Sequence, residues 1–167
     1  MKYLTLTLVF TITIIFSGCE NKLIPLKGIY SSPYKVKFSS SRESLWPKLI
    51  EIITSKGLSI KTLDEKAGVI TTDNTSFIDK YTWENEDGSL LNSKAFVVCN
   101  KYRGILTLSK SLNPANISGQ WSFFVKQGSN NTTLEISLAN AIGKIDGHLL
   151  TVKSTGEFEK SINALLQ

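Results

Sequence analysis

A chain of 167 residues, 41% apolar and 20% charged, is long enough to enclose one real hydrophobic core and too short for two comfortable ones. Its 19 Lys and Arg stand against 14 Asp and Glu, a formal charge of +5. Like charges never gather into a block of five or six, so the surface lacks the basic run of a nucleic-acid arm.

The first 18 residues carry one positive charge, Lys2, followed over residues 4–16 by a run of Leu, Val, Ile, Phe and Thr. About 20 apolar residues are needed to span a bilayer, whereas a basic residue, a short apolar stretch and a small-residue boundary describe an export signal. The boundary is Phe16-Ser17-Gly18-Cys19. A cysteine directly after two small residues resembles the lipobox of bacterial lipoproteins, although Phe16 stands where that family usually has Leu. The resemblance implies cleavage after Gly18, diacylglycerol on the Cys19 thiol and a lasting attachment to membrane through several acyl chains. Glu20 rather than Asp follows the cysteine, which by analogy with enterobacterial lipoproteins favours the outer membrane, facing the periplasm.

Removing 18 residues from 167 leaves 149, with Lys2 the only charge lost, so 18 basic side chains face 14 acidic ones. Once Cys19 is lipidated, Cys99 is the sole free thiol and the fold must stand on its core. Cys99 ends the apolar run Phe96-Val97-Val98-Cys99, where it reads as a small buried hydrophobe.

The chain divides into a signal peptide (1–18), a lipidated N-terminus and tether (19–32) and one globular domain (33–167). Residues 34–38 alternate apolar and polar, as a half-buried strand does. Leu45, Trp46, Leu49, Ile50, Ile52 and Ile53 recur at helical spacing, and Lys56-Gly57 closes that helix. A cap at Ser44 would make Pro47 its third residue; a cap at Ser40, with Glu43 completing a capping box, would force Pro47 to bend it. Residues 58–62 and 69–72 form a hairpin. A polar stretch from 73 to 93 contains Phe77, Ile78, Tyr81 and Trp83. Residues 95–108 read as strand, and 117–126 with 132–141 as a second hairpin across Gly128-Ser129-Asn130-Asn131. A last helix is capped by Ser154 with Glu157 and striped by Phe158, Ile162, Leu165 and Leu166.

This order predicts an α+β fold, an antiparallel sheet with two helices packed on one face, in a single domain. The segment from 43 to 72, ESLWPKLIEIITSKGLSIKTLDEKAGVITT, resembles the helix-grip domains of envelope lipoproteins such as the C subunit of the outer-membrane barrel assembly machine. That resemblance implies a helix-grip-like domain; here a single domain and a short tether leave the partner open.

Chemistry is scarce. His148 is the only histidine, too little for a convincing Cys99–His148 dyad. Glu84, Glu86 and Asp87 gather in one stretch, but the residue eleven after Glu84 is Ala95, so the closing Glu of a calcium loop is missing. Ser32-Pro33-Tyr34-Lys35 fits Ser-x-x-Lys without its companion motifs. The expectation is a non-catalytic protein without metal or cofactor, held to the membrane by Cys19 and acting on an envelope protein partner, with no nucleic acid involved. Phe77, Tyr81 and Trp83 are the candidate partner-binding residues, unless their rings fold back over the sheet. The alternative is a carrier of a small apolar ligand, with Trp46, Phe96, Trp121 and Phe123 lining a cavity between sheet and helix.

Overall fold

Two long strands form the spine: β9 (Asn116–Gln127) and β10 (Thr132–Ile145) pair antiparallel over most of their length. The structure, a computed structural model, describes residues 22–30, 32–103, 113–114 and 116–167. The remaining elements are β1 (Lys22–Leu23), β2 (Tyr34–Phe38), α1 (Arg42–Ser55), β3 (Ile60–Asp64), β4 (Val69–Thr72), β5 (Thr75–Ser76), β6 (Tyr81–Trp83), β7 (Val97–Cys99), β8 (Tyr102–Arg103), β11 (His148–Leu150), β12 (Val152–Ser154) and α2 (Glu157–Leu166). The expected signal peptide, Cys19 and the 104–108 part of the expected strand lie outside the described residues.

The main sheet is antiparallel in every pairing, in the order β11-β10-β9-β4-β3, with β2 also on β10 and β5 also on β9. One face is buried. In β9 the inward residues are Ile117, Trp121, Phe123 and Val125; in β10 they are Thr132, Leu134 and Ile136. Between Ala139 and Ile142 the register slips by one residue, and Asn140 takes a positive φ of 51°. That bulge moves the inward set of β10 from even to odd numbers, so that Gly143 and Ile145 are buried beyond it. Gly119 lies opposite, where a Cβ would come within 3.2 Å of Ala141 Cα and of Phe77. Gly68 closes the β3–β4 turn at φ 72°; a Cβ there would stand 2.2 Å from Val125 O, the strand that receives the turn.

Both helices cover the buried face, as the alternation of the strands and the helical stripes predicts. From α1 come Leu45, Trp46, Leu49 and Ile53; from α2 come Phe158, Ile162 and Leu166. Leu165, assigned to that stripe from its sequence spacing, is exposed instead, because a stripe built on positions 158, 162 and 166 leaves 165 on the helix flank. Phe158 stacks on Trp121 with ring centroids 4.1 Å apart and 18° between planes, and meets Phe96 and Phe123 edge-on. Neither helix is long and apolar enough to cross a membrane, nor is any other among the described residues.

The caps differ from both expectations. Ser41, between the two candidates, caps α1 and accepts from Ser44 N at 3.4 Å. Pro47 therefore lies inside the helix, six residues past the cap, and leaves the Glu43 carbonyl without its usual amide donor. At α2 the cap is Gly156 in the left-handed region, φ 89°. Ser154 belongs to β12, and its hydroxyl donates to Glu159 Oε1 at 2.7 Å while accepting from Gly156 N. Glu157 pairs with Lys160 at 2.8 Å rather than completing a capping box.

A second sheet was not anticipated: β12-β7-β6, with β6 and β7 parallel. Val97, Cys99 and Val152 from this sheet belong to the same core as the main one.

Two predictions follow from this core. Truncating Phe158→Ala removes the ring shared by α2 and β9, and should lower unfolding free energy in urea by about 3–5 kcal/mol. Glu159 is fully buried, with no partner for Oε2, and Asn163 Oδ1 one turn later is equally unpartnered. Burial pushes the Glu159 carboxyl above its ordinary 4.5, against the opposing hydrogen bond from Ser154; Lys160 and Glu157 are the charged groups that act on it. A carboxyl raised in the folded state holds its proton longer than in the unfolded chain. Its stabilisation is complete below pH 4.5 and is lost as pH rises through the raised value, by up to about 1.4 kcal/mol per pH unit. Urea midpoints measured across that window should fall in the parent relative to Glu159→Gln; parallel curves would refute a proton on Glu159.

Candidate functional site

The site is assembled from β6, the turn that follows it, and residues 22–30. In β6 the side chains alternate: Thr82 is buried, while Tyr81 and Trp83 share the other face, partly buried and packed against the core. Their rings meet edge-on at 5.5 Å. Tyr81 Oη donates to Asn113 Oδ1 at 3.2 Å. Thr82 Oγ1 accepts from Asn92 N at 2.8 Å, pulling the returning chain against the strand. Asp87 steadies the turn by accepting from Ser89 N and Ser89 Oγ.

Glu84, the next residue, is 6% exposed and takes three donors. Lys27 N reaches Oε2 at 2.6 Å; Gly28 N and Tyr30 Oη reach Oε1 at 2.7 and 2.6 Å. Burial alone would push this carboxyl up, but the Tyr30 hydroxyl, the Lys27 and Gly28 amides and the Lys27 charge outweigh it and hold it below 4.5. Tyr30 moves the opposite way, raised by burial and by the Glu84 hydrogen bond and charge. A Cβ on Gly28 would stand 2.8 Å from Glu84 Oε1 and 2.6 Å from Tyr30 Oη, so any side chain there would push those two hydrogen-bonding groups aside. Further up the chain, β1 pairs with β8, and Ile24 N donates to Lys101 O at 2.8 Å. Residues 22–30, expected as a free tether, are thus strapped to the domain at two points.

Of the three residues picked from sequence, the structure brings Tyr81 and Trp83 together and takes Phe77 away. Phe77 is 2% exposed and packs edge-on against Trp121 at 5.9 Å, so no partner reaches it. Cys19 lies outside the described residues. The strap residues Lys27, Gly28 and Tyr30 and their acceptor Glu84 were missed. The signal in the sequence is the aliphatic content of that segment, Leu23, Ile24, Leu26 and Ile29, together with Gly28 and Tyr30, more than a solvated linker needs.

The chemical candidates disperse. Cys99 is fully buried opposite Val152, and burial pushes its thiol up to about 12. His148 stands on β11 opposite Ile145. Lys35, of the Ser-x-x-Lys string, is paired with Glu135 at 2.8 Å. Among the described residues no three His, Cys, Asp or Glu side chains gather where they could hold a metal ion. Trp46, Trp121 and Phe123, candidate cavity walls, are buried in one core, with Phe158 filling the space before the latter two. A pocket of about 270 Å³ opens between the start of α1 and the β3–β4 turn, lined by Arg42, Glu43, Glu65 and Lys66, whose charges cancel. Comparison of the chain with models of known protein families and with curated proteins finds no match.

Removing the strap's acceptor gives a direct test. Glu84→Ala should cost on the order of 1–3 kcal/mol of stability, since three part-buried donors lose a charged acceptor. In the parent, docking is complete above pH 4.5 and weakens as pH falls through the lowered Glu84 value. The protection of the Lys27 and Gly28 amides against hydrogen exchange, taken relative to the intrinsic rate at each pH, should be lost in Glu84→Ala at neutral pH and in the parent only on acidification.

Proposed function

We propose that this protein is a lipid-anchored lipoprotein of the bacterial cell envelope, held through Cys19 and facing the periplasm, more specifically at the outer membrane. It acts by binding, as a non-catalytic accessory subunit of a membrane-associated assembly. The observation that carries the reading is the strap. Only two residues, Glu20 and Asn21, separate Cys19 from Lys22, a reach of at most about 11 Å over three Cα–Cα steps, so a lipid on that cysteine fixes the folded domain itself against the bilayer.

Its action as a binding module is supported by what the polar groups are committed to. The Cys99 thiol is sealed and protonated, and Glu84 holds the strap. The Tyr81–Trp83 pair, packed on the core from below, keeps part of its surface exposed on an edge strand of the small sheet, just before the strap's acceptor Glu84. Two rigid rings with their edges already ordered offer contact area at small entropic cost, which suits a protein partner's surface.

Cell fractionation tests the anchor: Cys19→Ser should leave the membrane fraction and escape lipid attachment, and normal membrane association of that variant would defeat the proposal. In-cell crosslinking then tests the binding surface. Tyr81→Ala with Trp83→Ala, its fold checked by circular dichroism, should reduce capture of whatever envelope protein the parent crosslinks by at least about tenfold. Unchanged capture would remove these rings from the interface.

A further inference from the structure

We propose that the corner built from residues 27–30 and the turn after β6 rests on the lipid bilayer, with Ile29 and Leu91 seated among the acyl chains just beneath the head groups. The inference rests on the Cys19 anchor proposed above and adds the orientation of the domain.

Among the described residues, Ile29 and Leu91 are the two most exposed large apolar side chains, at 97% and 67%. Single exposed apolar residues are ordinary. These two sit on one piece of structure. Gly28, next to Ile29, donates to Glu84, and Glu84 is bridged to Leu90, next to Leu91. A Cβ on Gly88 at the tip of the turn would lie 3.6 Å from Gly28 N.

The bilayer is the occupant because of where the chain starts. Ile29 stands ten residues after Cys19, on a segment bound to the domain both at β1 and at Glu84. With the first described residue held within about 11 Å of an acylated cysteine, the domain cannot swing away on a tether, and the strapped side is the side nearest the lipid. Charge adds little. Lys27 and Lys94 are exposed nearby, and so are Glu86 and Asp87 on the same turn. Lys27 Nζ donates to Glu86 O, and the Asp87 carboxylate is tied to Ser89. Seating therefore depends on the apolar side chains and does not weaken with salt, in contrast to a polybasic patch.

The test uses the full lipidated protein in vesicles of phosphatidylethanolamine and phosphatidylglycerol, with plain or brominated acyl chains. A fluorophore is attached at Ile29→Cys, at Leu91→Cys, or for reference at Leu63→Cys on β3, at the opposite edge of the main sheet from β11. Buried Cys99 does not compete for label. Brominated lipid should quench positions 29 and 91 by roughly twofold or more and leave position 63 unchanged, at low and high salt alike. Protein that floats with the vesicles yet shows no quenching at 29 and 91 would overturn this orientation and leave the anchor standing. Equal quenching at all three positions would overturn it as well. Protein that fails to float would bring down the anchor and the orientation together.

Discussion

The stacking of Phe158 on Trp121 is the contact on which the rest of the molecule depends. Trp121 sits at the middle of β9, the strand that pairs with β10 on one side and with β4 and β5 on the other. Phe158 opens α2, directly after β12, so the ring ties the small sheet and the helix to the large one. Phe77 and Phe96, from either flank of β6, lean on these same two rings. Because Tyr81 and Trp83 also pack against that core, β6 is fixed, and the acceptor Glu84 that follows it holds a defined position for the strap. Surface and core are coupled through one aromatic cluster.

Much of the fold was legible because it obeys simple periods. The α1 stripe, the β3–β4 turn with its glycine and the β9–β10 hairpin over a Gly-Ser-Asn-Asn loop each carry their signal within a dozen or so residues. What escaped is what depends on distant partners. β6 is three residues long with a polar Thr at its centre, and it is a strand only because β7, fourteen residues later, accepts it in parallel. The helix caps failed for a different reason. Serines at 39, 40, 41 and 44 offer equivalent hydroxyls, and only the docking of the helix on the sheet chooses Ser41. Ser154 is drawn into β12, so its hydroxyl faces the buried Glu159 instead of starting the helix.

The site was legible in part. Aromatic residues amid charges drew attention to the stretch that carries Tyr81 and Trp83, but sequence could not separate those from Phe77, whose ring turns inward at the β5–β6 junction to meet Trp121. Glu84 looked like one of three acids in a calcium-like cluster. Its real role came from amides more than 50 residues earlier in the chain, a pairing that no local pattern encodes. The segment that supplies those amides resembled a linker because its donors are backbone groups, and composition does not report them.

The register of β2 has a consequence for the order in which the protein can be made. Val36 lies opposite Leu134, so one of the first strands to be synthesised waits for nearly a hundred further residues before its partner exists. In the interval α1 and the β3–β4 turn can form from neighbouring residues alone, while the sheet edge that β2 will occupy stays open. A chain so arranged cannot close its sheet early: the spine of β9 and β10 is missing until the last third of the sequence has been made.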